Sequence, residues 1–387
     1  MGLLVVIVAL ALCAAWAQAA LPNGICSYSS LAVLGPGSMR AANNFSPLSQ
    51  FKGCGYAVAD NAFLGLVDTS AAPRVAAEAS YAFAHEAPVY LPALKQIFFV
   101  SNRLGNTSGV TQFIELNTLD ISTGTVTKLP ETLGNSLAMS NGATNLPGTD
   151  DSIALLTQGK GDWQPGAVNK LNLKTLKHEV LLDNYLGRQF NSPNDIAFFK
   201  DGRTLFFTDP PYGFAQNFKL QPQLGNYVYA YDTVSKIVSV AADGFVKPNG
   251  VAFSPDYKTA YVTDTGMADG TGPSGFNPAN PQTIYAFDME TAKSGKSGSF
   301  FPTLRNRRTF AVAETGLPDG IRLDVQGNVY TGTGAGVEVF APSGKRLGTV
   351  LIEGGVANLV FADKVLYALN EKRIIAVQMR VPGAKLP

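Results

Sequence analysis

The chain has 387 residues, with 30 Lys and Arg against 29 Asp and Glu and a formal net charge of +1. Only 15% of its residues are charged, against roughly 25% in an average soluble chain. No basic stripe runs along it, so neither nucleic acid nor an anionic membrane finds an electrostatic footprint. The length exceeds that of an ordinary single core, yet no Pro/Ser-rich linker or low-complexity tract divides it, which points to an architecture built by repetition.

In chain order, Gly2 to Ala20 form an uncharged apolar run ending in Ala17-Gln18-Ala19. The A-x-A ending predicts a secretory signal over residues 1–19, although its start lacks the usual Lys or Arg. An N-terminal anchor is the alternative, but the run is barely long enough to span a bilayer and has no basic flank. Cleavage would remove Cys13 and leave Cys26 and Cys54. In the oxidising space outside the cell this pair predicts a disulfide, with two buried free thiols as the other possibility. Closing that loop would stabilise the fold by about 3.5 kcal/mol on the chain-entropy model. Asn44-Phe45-Ser46 and Asn106-Thr107-Ser108 are glycosylation sequons usable only in secretion.

From residue 79 onward the chain repeats. Asn191 to Gly213 (NSPNDIAFFKDGRTLFFTDPPYG) is half echoed by Pro248 to Gly266 (PNGVAFSPDYKTAYVTDTG), with fifteen residues from Asn194 to Asp209 and from Asn249 to Asp264. Glu86, Asn141, Asn194, Asn249, Asp319 and Asn358 each open an apolar run, at intervals of 55, 53, 55, 70 and 39 residues. A period near fifty built from short β runs predicts an all-β chain: a six-bladed propeller over 79–387, with 20–78 as an N-terminal extension that can supply a closing strand. Phe113 to Val126, Asn226 to Ile237 and Thr283 to Ser294 alternate apolar and polar residues before a polar turn, as third strands with hairpins do.

Several chemistries are excluded. There is no G-x-S-x-G elbow, and Gly295-Lys296-Ser297 has Glu290 where a phosphate loop needs its first glycine. His85 and His178 are not spaced as a zinc pair, and His178, between Lys177 and Glu179, reads as a solvated strand residue.

What remains is the ring that the innermost strands of such blades would form around the axis. Glu86 and Asp319 supply carboxylates, and Asn194 and Asn249 supply amide oxygens, a set suited to a hard cation. Calcium is the natural occupant, with magnesium, manganese or zinc as alternatives. Four ligands leave open positions for water or substrate. Asn-Gly and Asp-Gly pairs are also turn signals, and only their common register makes them ligand candidates. Asn141 and Asn358 share that register. Asp209 and Asp264 read instead as acceptors for turn or inter-blade backbone donors.

These motifs resemble a family that joins senescence marker protein, gluconolactonase and luciferin-regenerating enzyme. Its Glu-Gly-Pro-Val-Trp motif stands here as Glu86-Ala87-Pro88-Val89-Tyr90. Its Asn-Asp motif is Asn194-Asp195, followed by Thr208 to Gly213, its Asn-Gly motif is Asn249-Gly250, and its Pro-Asp-Gly motif is Pro318-Asp319-Gly320. The resemblance implies six blades and one catalytic divalent metal, with Glu86, Asn249 and Asp319 as ligands and Asn194 touching metal or substrate. His85 to Tyr90, the signal and the extension are most similar to a secreted fungal branch that hydrolyses aldonate and pantoyl lactones. Where animal sugar-lactone hydrolases place an arginine two residues before the motif's Asn, this chain has Ser192, and Arg188 is the candidate substitute for substrate binding.

The expected function is hydrolysis of a small-molecule lactone or ester, the metal polarising the carbonyl while a carboxylate takes a proton from water. Asp195, adjacent to Asn194, is the candidate base and Asp319 the other catalytic candidate, and strand alternation offers Asp195 a purely structural place instead. His85 is a second base by chemistry, although alternation points it away from the axis. An arylesterase or phosphotriesterase, a tailoring enzyme of secondary metabolism and a non-catalytic binding propeller are the alternatives.

Overall fold

The computed structural model describes residues 21, 24–28, 51–105, 111–268, 275–294, 299–385 and 387. The apolar N-terminal run, Asn44, Asn106 and Gly295-Lys296-Ser297 lie outside them. The described strands form six blades around an axis. From the inside outward, blade 1 runs Glu86–Leu91, Gln96–Val100, Leu116–Asp120 and Val126–Lys128. Blade 2 is Ser140–Asn145, Ser152–Thr157, Ala167–Asn172 and His178–Leu182; blade 3 is Ile196–Phe198, Thr204–Asp209, Tyr227–Asp232 and Val238–Ala242. Blade 4 is Pro248–Phe253, Thr259–Asp264, Thr283–Ser294 and Ser299–Val312. The three segments with alternating polarity thus contain the third strands of blades 1, 3 and 4.

Blades 5 and 6 draw on both ends of the chain. Blade 6 consists of Asn358–Ala362, Val365–Asn370 and Arg373–Gln378, and Arg74–Glu78 adds its outer strand by antiparallel pairing. Blade 5 runs Ile321–Leu323, Val329–Thr333, Gly336–Phe340 and Arg346–Leu351. Cys54–Val58 pairs antiparallel to its outer edge, and Gly24–Ser27 then adds parallel to Cys54–Val58. The Cys26–Cys54 disulfide, with Cα atoms 6.0 Å apart, pins those two strands together.

The core lies between blades, in six apolar layers. Leu205 and Phe207 pack toward blade 2 while Phe206, on the opposite face of the same strand, packs toward blade 4. A strand buried on both faces reads as a continuous apolar run, and period 2 decides which neighbour each side chain meets.

Asn141-Gly142 and Asn249-Gly250 lie within inner strands, and Asp319-Gly320 immediately precedes one, so these pairs are not turns. A Cβ on Gly142 would stand 2.1 Å from Asn194 O, on Gly250 2.6 Å from Asp319 O, and on Gly320 2.3 Å from Asn358 Cγ. Glycine follows the ring residue because the next blade's inner strand fills the space a side chain would need. Ala87 holds the corresponding place in blade 1 with φ 56°, a left-handed conformation that favours glycine. Its difference from the motif's glycine therefore loads the backbone and does more than alter packing. Ladder register slips between Glu86 and Val89, between Ser140 and Ala143, and between Pro248 and Val251. Such bulges re-aim the ring side chains at the head of the strand.

Candidate active site

Thr208 and Thr263, the threonines of the repeated Thr-Asp, hold the heads of the inner strands together. Thr208 Oγ1 accepts from Asp195 N at 3.0 Å and donates to Asn249 O at 2.6 Å. Thr263 Oγ1 repeats this one blade on, accepting from Gly250 N at 2.7 Å and donating to Asp319 O at 2.9 Å. The following aspartates bind the loops that lead into the ring. Asp209 accepts from Asn191 N and Ser192 N at 2.9 and 2.7 Å. Asp264 accepts from Val246 N and Lys247 N at 3.0 and 2.8 Å.

At the mouth of the channel stand Glu86, Asn194, Asn249 and Asp319. Glu86, Asn194 and Asn249 are buried. Asn194 Oδ1 and Asp319 Oδ1 are buried without a hydrogen-bond partner. The amide nitrogen of Asn249 donates to the Tyr212 hydroxyl at 3.3 Å, which fixes that side chain's rotation. Asn358 Nδ2 donates to Glu86 Oε2 at 2.7 Å while Asn358 Oδ1 accepts from Leu359 N at 2.8 Å. Asn141 Nδ2 donates to Asn194 O at 3.1 Å, and Asn141 Oδ1 accepts from Gln158 Nε2 at 3.2 Å. Asn141 and Asn358 thus share the register but spend their amides orienting Asn194 and Glu86.

The electrostatics describe a site short of positive charge. Burial, with Asp319 nearby, pushes the Glu86 carboxyl up to about 8. Burial raises Asp319 to about 6; His85 opposes the shift while Glu371 and Asp195 add to it. Asp195 is raised by burial, and Arg322 works against that. Among the described residues no three His, Cys, Asp or Glu side chains form a metal cluster, so a cation here requires the amides as well. Orphaned oxygens on Asn194 and Asp319, beside carboxylates forced toward the neutral form, fit a hard divalent cation.

Asp195 is buried beneath Asn194. Its Oδ2 accepts from Val251 N at 3.0 Å and lies 3.6 Å from Arg322 Nη1, while Oδ1 has no partner. His85 Nδ1 meets Glu371 Oε1 at 2.6 Å, and Asn102 Nδ2 donates to Glu371 Oε2 at 3.0 Å. Burial pulls the imidazole down, but Glu371, then Glu86 and Asp319, push it up to about 10. Alternation does not turn His85 out of the ring's field, because it precedes the strand that starts at Glu86 and the bulge follows at once. Ser192 is buried, donates to Asn191 O and accepts from Gly213 N, both at 2.6 Å. Arg188 stands exposed in the short hairpin of Asn184–Tyr185 and Arg188–Gln189. Sequence reading missed Asn102, Arg322 and Glu371, which no motif marks; Tyr212 lay in plain view in the Pro-Pro-Tyr-Gly tail.

The family model described as the SMP-30/gluconolactonase/LRE-like region matches residues 86–369. The chain belongs to that family. A lactonohydrolase, oryL, of Aspergillus oryzae is 29% identical over 320 residues, covering 78% of this chain and 69% of the relative. A gluconolactonase of Zymomonas mobilis is 31% identical over 226 residues, 56% of this chain and 58% of its own length. A solved gluconolactonase from Xanthomonas campestris superposes with a TM-score of 0.63 at 24% identity, covering 84% of this chain and 94% of that one, which establishes the shared fold. Among the described residues no helix is long and apolar enough to cross a membrane.

Proposed function

We propose that this family member hydrolyses a small-molecule lactone. One observation carries the reading: unpartnered buried oxygens of Asn194 and Asp319 sit beside Glu86 and Asn249 at the channel mouth. The names of the fungal and bacterial relatives support the same reaction class. A divalent cation, calcium by the donor set, held by Glu86, Asn194, Asn249 and Asp319 would polarise the lactone carbonyl and steady the oxyanion.

The protein's own groups do the rest. Asn358 and Tyr212 hold Glu86 and Asn249 in rotation, and Asn141 holds the Asn194 backbone. Asp319, whose Oδ1 has no protein partner, takes the proton of the attacking water. Asp195 is the weaker candidate, because one of its oxygens is already committed to Val251 N. Exposed Arg188 is left to meet a polar substituent of the substrate. Buried Ser192 cannot replace the arginine that reads sugar hydroxyls, so pantoyl-type or other sparsely hydroxylated lactones fit better than aldonolactones.

Purified protein should open such lactones, fall silent in chelator and recover with calcium. Equal activity of the metal-free protein would sink the proposal. A parallel panel of aryl esters and phosphotriesters separates the other hydrolases that the same cation would serve. We also read residues 1–19 as a cleaved secretory signal, so N-terminal sequencing of secreted protein should start at Ala20.

A further inference from the structure

The channel has a second mouth. The ring residues stand at the heads of the inner strands, whereas the later parts of the same strands, two or more residues on and so about 7 Å or more deeper, surround a cavity of about 80 Å3. Val89, Ala197, Phe253 and Val360 give it apolar walls. Arg322 and Lys385 also line it, and no acidic residue does. Lys385 is brought there by the C-terminal segment, which is pinned across the mouth where Ala384 N donates to Leu323 O at 2.8 Å and Val325 N donates to Pro382 O at 3.1 Å.

Arg322 is incompletely used. Its Nη1 donates to Ile321 O at 2.7 Å and stands 3.6 Å from Asp195 Oδ2. Among the described residues its other guanidinium N–H groups have no protein acceptor, and its side chain is only 15% exposed. A half-buried guanidinium with donors to spare, on the wall of a mainly apolar chamber that also carries Thr144, Asn145 and Ser254, suits a planar anion. A water needs roughly 10–15 Å3 of such space, so the chamber holds several waters or one small organic acid. Asp195 already offsets part of the cationic charge, which disfavours a dianion such as sulfate or phosphate.

We propose that this mouth is a binding site for a small aliphatic monocarboxylate, its carboxylate on Arg322 with Lys385 nearby and its alkyl part against Val89, Ala197 and Val360. Saturation-transfer NMR with propionate, run beside a thermal-shift titration at constant ionic strength, tests it. Wild-type protein should show transfer to the propionate methyl and half-saturation in the millimolar range. Lys385→Glu, at an exposed position, should weaken binding at least threefold without altering the fold. Arg322→Met should abolish it; should that variant not fold, Lys385→Glu decides alone. Because Lys385 lies at the mouth opposite the ring, carboxylate held by a cation at the ring would survive Lys385→Glu. No transfer in wild type, undiminished transfer in either folded variant, or displacement by sulfate as effective as by butyrate would overturn the assignment.

Discussion

Replacing Asp319 with Asn should stabilise the metal-free protein at alkaline pH while nearly removing its response to calcium. The Asp319 carboxyl is lifted from 3.8 to about 6, first by burial and then by Glu371 and Asp195, with His85 opposing. A folded value above the unfolded one means that stability is fully present below about pH 4 and is lost as pH rises through about 6. With each tenfold change in proton affinity worth about 1.4 kcal/mol, the lift from 3.8 to about 6 puts the cost of ionised Asp319 at about 3 kcal/mol or less at pH 8, the rim being partly wet. Asn escapes that cost but brings an amide N–H pair into a tight site, worth about 1 kcal/mol against it. The metal-free variant should therefore gain about 1–2 kcal/mol at pH 8, a few degrees in Tm, and lose the advantage near pH 4.5. Calcium stabilises wild type through its preference for the folded state, and losing one of two ring carboxylates should weaken affinity at least tenfold. Scanning both proteins in chelator and in millimolar calcium, at both pH values, reads all of this. If Asp319→Asn is less stable than wild type in chelator at pH 8 yet gains as much from calcium, the carboxylate does not belong to a cation site.

Three further outcomes follow from the contacts around the ring. Asn358→Ala removes the donor to Glu86 Oε2 and the acceptor for Leu359 N, so calcium affinity by calorimetry should drop about 10- to 100-fold and the metal-free protein should lose about 1–3 kcal/mol. Asp209→Asn turns one of two acceptors for Asn191 N and Ser192 N into a donor; unfolding by denaturant should show a loss of about 2 kcal/mol, while kcat at low temperature stays near wild type. Cys54→Ser opens the loop to Cys26 and should lower stability by about 3.5 kcal/mol, leaving calcium affinity intact; an unchanged midpoint would mean that the N-terminal strands do not support the fold.

Much of this site was legible in the chain because a ring residue carries its constraint beside it in sequence. Gly142, Gly250 and Gly320 are small because the next inner strand presses on them, so the Asn-Gly and Asp-Gly pairs at a common register mark the ring even though each alone reads as a turn. Period-2 alternation marked the third strands for an equally local reason: neighbouring side chains on a pleated strand face opposite blades. Thr208-Asp209 and Thr263-Asp264 repeat because each blade must tie its inner strand to the next.

Tertiary structure alone decided which oxygens remain free. Asn141 and Asn358 are indistinguishable in register from Asn194 and Asn249, yet Gln158 Nε2, seventeen residues on, occupies the first carbonyl and Leu359 N the second, while the Asn358 amide is spent on Glu86, 272 residues away. His85 meets Glu371 across 286 residues, and Asp195 meets Arg322 across the axis. Sequence fixes chemistry and local backbone preference, since these depend on neighbours along the chain. Whether a given oxygen is spent on the protein or left for a cation depends on which strands closure of the propeller brings together, and that is a property of the closed ring.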